Sequence, residues 1–275
     1  MGRIRLRSGR IAITLLGTVT FTLAGVHTAH AAPAVYTALG DSYSSGVGAR
    51  TYYADSGSCY RSPLAYPVLA AARLGATLTF AACSGARVAD VLNTQLGSLS
   101  PGTTLVTVSA GGNDAGFANV ITSCARPWPW TCWGDINNAN AVIRDTLPGR
   151  LDGLYRAIRE RAPNATVVVV GYPRVFNGEE CNLGARISSG EQAELNRTAD
   201  LLAGVIAARA AAAGFSFVDP RAGFTGHAVC DDVEWLNGLS YPILDSYHPN
   251  PAGHASGYGP LVLAQLGVRS GAPLL

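Results

Sequence analysis

The sequence predicts a three-layer α/β/α domain wound on a parallel sheet, and three observations carry that prediction. Short β-rich runs alternate along the chain with longer helical stretches, the order in which a parallel sheet is built through right-handed helical crossovers. The β-rich runs do not alternate polar with apolar residues, as expected where helices cover both faces of a sheet. The first three runs are followed by turn-forming residues: Gly40-Asp41-Ser42, Ser84-Gly85 and Gly111-Gly112-Asn113-Asp114.

In chain order the strands are expected at Val35–Leu39, Thr77–Ala81, Leu105–Ser109, Thr166–Val170 and Phe215–Val218. Helices are expected at Leu64–Leu74, Ala86–Leu96, Ile136–Arg161 and Glu191–Ala213. Pro148 should break or kink the third, because proline removes a backbone donor and clashes with the preceding turn. Ser189-Gly190-Glu191-Gln192 has capping-box spacing and starts the fourth. Pro251 suits the first position of a last helix. In an open parallel sheet the reactive crevice lies beyond the carboxyl ends of the strands. Ser42, Gly85 and Asn113, each just past a strand end, are thereby expected at one edge.

Residues 1–31 read as a secretory leader: Arg3, Arg5, Arg7 and Arg10, an apolar Ile11-to-Ala24 stretch too short to span a bilayer, then Ala29-His30-Ala31. Residues 32–275 are then expected to form one domain, secreted, with no stable membrane anchor and at most transient contact with a lipid surface. The 20 Lys+Arg of the chain are all arginine, and four lie in the leader, whereas all 18 Asp+Glu lie beyond it. Removal of the leader turns a net +2 into a slight negative charge, which gives no reason to expect a nucleic-acid partner. The absence of lysine excludes a P-loop lysine, a Schiff base and a Ser–Lys dyad. Six cysteines in an exported chain imply three disulfides, for which spacing alone allows 15 connectivities. The expected pairing follows chain order, Cys59 with Cys83, Cys124 with Cys132 and Cys181 with Cys230, each bridge contributing about 2–4 kcal/mol if unstrained.

A serine hydroxyl needs a neighbouring base to become a nucleophile. Beyond the leader the imidazoles are His227, His248 and His254. Asp245 precedes His248 by three residues, a spacing that can bring a carboxylate to the ring. Taken singly, Gly-Asp-Ser, Gly-Gly-Asn-Asp and Asp-x-x-His are weak signals. Their order and strand-end placement make them a strong one.

On these blocks the chain resembles the GDSL, or SGNH, hydrolases. Ser42 corresponds to the serine of the first block, Gly85 to the second-block glycine, Asn113 to the Gly-x-Asn-Asp block, and Asp245 with His248 to the Asp-x-x-His block. The segments Ala82-Cys83-Ser84-Gly85-Ala86, Phe224-Thr225-Gly226-His227 and Asp245-Ser246-Tyr247-His248-Pro249 resemble secreted three-disulfide lipases and esterases of streptomycetes, which supports the sequential pairing. The resemblance implies a flavodoxin-like five-stranded sheet of order 2-1-3-4-5. It also implies a triad of Ser42, His248 and Asp245 and an oxyanion hole from the N–H groups of Ser42 and Gly85 with the Asn113 amide. Some relatives orient the histidine by a backbone carbonyl instead. No cofactor or metal is implied, and a monomer is the default.

The expected activity is hydrolysis of carboxylic esters of acyl lipids, including phospholipase A chemistry. The alternatives are carbohydrate O-deacetylation on the same blocks, and a secreted binding protein without catalysis. An α/β-hydrolase is disfavoured because Ser42 lacks a Gly-x-Ser-x-Gly elbow. Structural roles are expected for His227 and His254, and Asp114 should brace the Asn113 turn. Trp128, Trp130 and Trp133, around Cys132, either pack against the domain or line an apolar rim.

Overall fold

Val35–Gly40 forms the interior strand β1, and its last five residues are buried. The structure, a computed structural model, describes residues 1–2, 33–127, 129–181, 184 and 186–267. The proposed leader lies outside these apart from Met1 and Gly2, as does Trp128. After β1 come the short helix α1 (Ser42–Ser45), α2 (Tyr66–Leu74), β2 (Thr77–Phe80) and α3 (Val88–Asp90). The chain continues through β3 (Leu105–Ser109), α4 (Phe117–Cys124), α5 (Trp133–Ala141), α6 (Leu147–Arg161) and β4 (Thr166–Val170). It closes with α7 (Ser189–Ala212), β5 (Ser216–Val218) and α8 (Gly259–Gln265). The sheet is parallel throughout, in the order β2-β1-β3-β4-β5. That is the fold and strand order expected.

Helices α2 and α8 pack on each other, against β2 and against β4 and β5 respectively, while α6 and α7 pack together with α7 on β4 and β5. Burial on both sides explains why β4 reads Thr-Val-Val-Val-Val, with every valine buried. β-Branched side chains fit the pleated surface, and no polar alternation is needed where neither face meets water. Helix α6 shows the complementary 3.6-residue pattern, burying Leu147, Leu151, Leu154, Tyr155 and Ile158. Among the described residues no helix is long and apolar enough to cross a membrane.

The differences from expectation have local causes. The single helix expected at Ile136–Arg161 is two, α5 and α6, joined by a π-turn at Val142–Thr146, and Pro148 sits in the first turn of α6 where its missing N–H is harmless. The expected Ala86–Leu96 helix is only one turn of α-helix running into a π-turn at Val91–Gln95. Helix α4 was not anticipated: its start is Gly116 in the left-handed region, with no capping side chain to announce it. The capping box of α7 is Ser188 with Glu191, one residue earlier than Ser189 with Gln192. Gln192 instead donates to the Ile187 and Glu179 carbonyls.

Disulfides join Cys59 to Cys83, Cys124 to Cys132 and Cys181 to Cys230, the sequential pairing expected.

Candidate active site

Gly40 ends β1 with φ +128°, and a Cβ there would lie 2.5 Å from the Ser109 carbonyl of β3. Only glycine lets the two strand ends come this close. Its peptide N–H donates to Gln95 Oε1 at 2.8 Å and its carbonyl accepts from Gln95 Nε2 at 2.9 Å, so a side-chain amide closes the edge of β1. Asp41 then caps α1, its carboxylate accepting the Tyr43 N–H at 3.1 Å. This turn presents Ser42 at the carboxyl edge of the sheet.

Ser42 Oγ lies 2.8 Å from His248 Nε2. The other ring nitrogen, Nδ1, lies 2.9 Å from the Ser246 carbonyl, which fixes the tautomer that donates at Nδ1 and leaves Nε2 to accept the serine proton. Asp245 is placed differently from a hydrogen-bonded triad member. Its buried carboxylate accepts the Tyr52 hydroxyl at 2.5 Å and lies 4.0 Å from Arg50 Nε. It reaches the ring as a charge through space, not through a hydrogen bond to Nδ1. Burial lowers the His248 pKa to about 4, opposed by the Ser246 carbonyl and the Asp245 charge. The ring keeps some exposure to the cavity. It is neutral, and thus basic, at pH 7.

The three candidate oxyanion donors, Ser42, Gly85 and Asn113, line one cavity with His248. Asn113 Nδ2 donates one hydrogen to the Ala86 carbonyl at 3.0 Å, which orients the amide and leaves its second hydrogen available. Gly85 has φ +76°. It is flanked by the Cys59–Cys83 bridge and by the bond from Ser84 N–H to the Cys59 carbonyl at 3.1 Å. Asp114 accepts from Val88 N–H and from Arg150, both at 2.9 Å, and so ties the Asn113 turn to α3 and α6.

Beneath Ser42 lies a polar cluster that no sequence motif announces. Asp41, 1% exposed, accepts from the hydroxyls of Ser109 at 2.7 Å and Tyr172 at 2.5 Å. Tyr172 in turn accepts the Gly112 N–H at 3.3 Å, one residue before Asn113. Burial pushes Asp41 up to about 6, against the hydrogen bonds from Tyr172, Ser109 and Tyr43 that favour its charged form. The Gly-Asp-Ser spacing named Asp41 only as a turn residue. Tyr172, two residues past β4, had a strand-end position but no motif to single it out.

His227 and His254 stand apart from Ser42. His227 stacks on Trp235 at 3.7 Å and bonds the Val233 carbonyl. His254 is fully buried, accepting from Tyr66 N–H at 3.4 Å. Trp130 and Trp133 are 61% and 43% exposed and do not line the cavity.

The cavity measures about 420 Å³. Phe117, Ile121, Ile143, Leu195 and Leu202 form an apolar wall supplied by α4, the π-turn and α7. Ser42 and His248 supply its polar end.

Residues 38–256 match the GDSL-like Lipase/Acylhydrolase family. The chain is 50% identical over 247 residues to Lipase 1 of Streptomyces coelicolor, covering 87% of this chain and 91% of that protein. It superposes on the crystal structure of an extracellular lipase from Streptomyces rimosus with a TM-score of 0.80 at 46% identity, covering 84% of this chain and 99% of the other. The phospholipase A1 of Streptomyces albidoflavus NA297 gives a TM-score of 0.81 at 47% identity, over 85% of this chain and all of its own. With a serine hydroxyl on an imidazole at the edge of a 2-1-3-4-5 sheet, and similarity of this extent, the chain belongs to the GDSL-like lipase/acylhydrolase family and is a carboxylic ester hydrolase.

Proposed function

We propose that this hydrolase cleaves carboxylic esters of acyl lipids, phospholipids among them, through an acyl-enzyme on Ser42. The observation that carries the proposal is the 2.8 Å Ser42–His248 contact at the mouth of an apolar cavity of about 420 Å³. Such a cavity takes a hydrocarbon chain out of water, worth about 0.8 kcal/mol per buried CH₂, and leaves the ester carbonyl at the nucleophile. A short acetyl group would leave most of that space unused, which disfavours the carbohydrate O-deacetylase alternative.

His248 Nε2 takes the proton from Ser42 Oγ as that oxygen attacks the ester carbonyl, while Ser42 N–H, Gly85 N–H and the Asn113 amide receive the oxyanion. The imidazolium then protonates the departing alcohol. Water, deprotonated by the same nitrogen, attacks the acyl-enzyme and releases the fatty acid with Ser42 restored. The Ser246 carbonyl orients the ring, and Asp245 stabilises the imidazolium by its charge. Export by the 1–31 leader fits a chain with three disulfides whose relative from Streptomyces rimosus is an extracellular lipase.

The test is a chain-length series of p-nitrophenyl esters beside triglycerides, phosphatidylcholine and acetylated xylan, with Ser42→Ala as control. The expected result is preference for acyl chains longer than acetyl, stoichiometric labelling of Ser42 by an alkyl phosphonate, and loss of both in Ser42→Ala. A preference for acetylated xylan would transfer the protein to the carbohydrate reading, and absence of labelling would remove catalysis at Ser42.

A further inference from the structure

The segment Leu239–Ile243 turns apolar side chains outward at alternate positions: Leu239 is 38% exposed, Tyr241 90% and Ile243 67%. Exposure of three large apolar groups within five residues needs a reason, since a surface loop gains nothing from it in water. The segment is held in place: Ser240 N–H donates to Ser246 Oγ at 2.9 Å, and Ser246 Oγ donates back to the Ser240 carbonyl at 3.4 Å. Its base is therefore Ser246, whose own carbonyl holds His248. Its flanks are part of the cavity, because Leu239, Ile243 and Leu244 line it together with Ser42. The apolar tip is thus continuous with the acyl cavity.

A cation stands beside this tip. The Arg50 side chain, 56% exposed, donates to Ser240 Oγ at 3.2 Å and is held from beneath by the buried Asp245. An exposed aromatic and aliphatic tip flanked by a guanidinium matches a phospholipid surface: apolar groups enter the acyl boundary and the cation meets headgroup phosphate.

We propose that Leu239, Tyr241 and Ile243, with Arg50, form the docking surface by which this protein sits on a phospholipid bilayer, placing the cavity mouth at the level from which an acyl ester is drawn. The proposal rests on the lipid-ester reading and deepens it by naming the partner and the face that meets it. Docking at this loop brings the lipid to the segment that carries the base, so no diffusion of monomeric lipid through water is required.

Binding is measured without turnover, by co-sedimentation of the full-length mature protein with vesicles of diether phosphatidylcholine, alone or mixed with diether phosphatidylglycerol. Tyr241→Ser is expected to weaken partitioning about ten-fold, from loss of an aromatic ring that would be half-buried in the bilayer interface, with unchanged turnover of soluble p-nitrophenyl butyrate. Tyr241→Phe should bind like the parent protein. Arg50→Gln is expected to weaken binding to the phosphatidylglycerol vesicles about five-fold, the effect of one basic residue at an anionic surface, and to leave binding to phosphatidylcholine alone nearly unchanged. Parent-like binding by Tyr241→Ser, or equal loss in Tyr241→Phe and Tyr241→Ser, overturns the docking surface. Failure of the parent protein to hydrolyse p-nitrophenyl butyrate overturns the esterase reading instead, and vesicle binding reports separately from it.

Discussion

The two halves of the Ser42–His248 pair are held by different means. The Ser42 turn is bedded in buried side chains. Asp41, Ser44 and Ser109 join Tyr66 and Tyr172 in one hydrogen-bonded cluster, with Ser44 Oγ 2.8 Å from Ser109 Oγ and 2.7 Å from the Tyr66 hydroxyl. The histidine segment is irregular chain held largely through backbone groups: Asn237 N–H on the His248 carbonyl, Tyr247 N–H on the Asn237 carbonyl, and the Tyr43 hydroxyl on the Tyr247 carbonyl at 2.7 Å. Tyr247 adopts φ +59°, a conformation that costs a bulky residue about 1–3 kcal/mol. Gly48 allows the two halves to touch, since a Cβ there would stand 2.6 Å from the Pro249 carbonyl. The sheet fixes where the hydroxyl is. The loop fixes which way the imidazole faces, and it can carry other functions on its outer side.

This difference predicts that losses on the sheet side are large and local. Asn113→Ala removes one of the proposed oxyanion donors, the amide oriented by the Ala86 carbonyl. Turnover of a soluble ester should fall about 10²–10³-fold, with little change in KM or in melting temperature. A loss confined to KM would place the Asn113 amide on the ground-state ester and not on the oxyanion.

Beneath it, Tyr172 connects the Asp41 carboxylate to the Gly112 peptide. Tyr172→Phe should lower kcat about ten-fold, the worth of one lost hydrogen bond to a charged group, with KM unchanged. Asp41 adds a pH signature. Its pKa is raised by burial to about 6, so the stability it contributes is full below about 4 and is lost as pH rises to about 6. Fully buried His254 has the opposite sign: lowered to about 3, it favours the native state above about 6.5 and loses that contribution on acidification. Asp41→Asn removes the first of these opposing contributions. Its unfolding free energy should fall more steeply than the parent protein's between pH 6 and 4, by about 1 kcal/mol per pH unit, as read from urea titrations. Parallel slopes would show that Asp41 is not held in its buried acid form.

The same contrast separates what was readable in the sequence from what was not. Strands β1 to β5 announced themselves because burial on both faces selects β-branched runs such as Thr166–Val170. Ser42, Gly85 and Asn113 follow strand ends, where topology alone brings distant residues to one edge. Helix α4 was invisible because it begins at a left-handed Gly116 instead of a polar cap. Tyr172 and Ser109 were invisible because a buried hydroxyl looks like any other in a linear text until its partner is known. The Ser246 carbonyl could not be singled out from the residues, since a backbone group carries no side-chain signature while the nearby Asp245 carries a strong one; only the family resemblance raised a backbone carbonyl as the alternative.

His248 supplies a smaller test of the loop side. His248, lowered to about 4 by burial, should keep kcat/KM on a soluble ester nearly constant from pH 8 down to about 6, with the acid limb falling below the ordinary histidine value. An acid limb at 6.5 or higher would mean that the ring in solution is better hydrated than its packing against Tyr43, 5.3 Å between centroids, implies.

Asp245→Asn gives the smallest effect expected and the sharpest test of how the loop works. In a triad whose carboxylate bonds the imidazole directly, the equivalent change costs about 10⁴ in kcat because the wrong tautomer is held. Here the Ser246 carbonyl takes the Nδ1 hydrogen, and the Asp245 carboxylate is engaged by Tyr52 and Arg50. Asn retains an oxygen for the Tyr52 hydroxyl and removes only the charge that favours the imidazolium. The expected loss is therefore less than about ten-fold in kcat, because Arg50 already counters the Asp245 charge and a charge screened as in water is worth only about 1 kcal/mol at 4 Å. The acid limb should move to lower pH, since Asp245 raises the His248 pKa. A loss of about 10³-fold or more would mean that the carboxylate swings onto the ring during turnover, and the backbone carbonyl would then be only a resting partner.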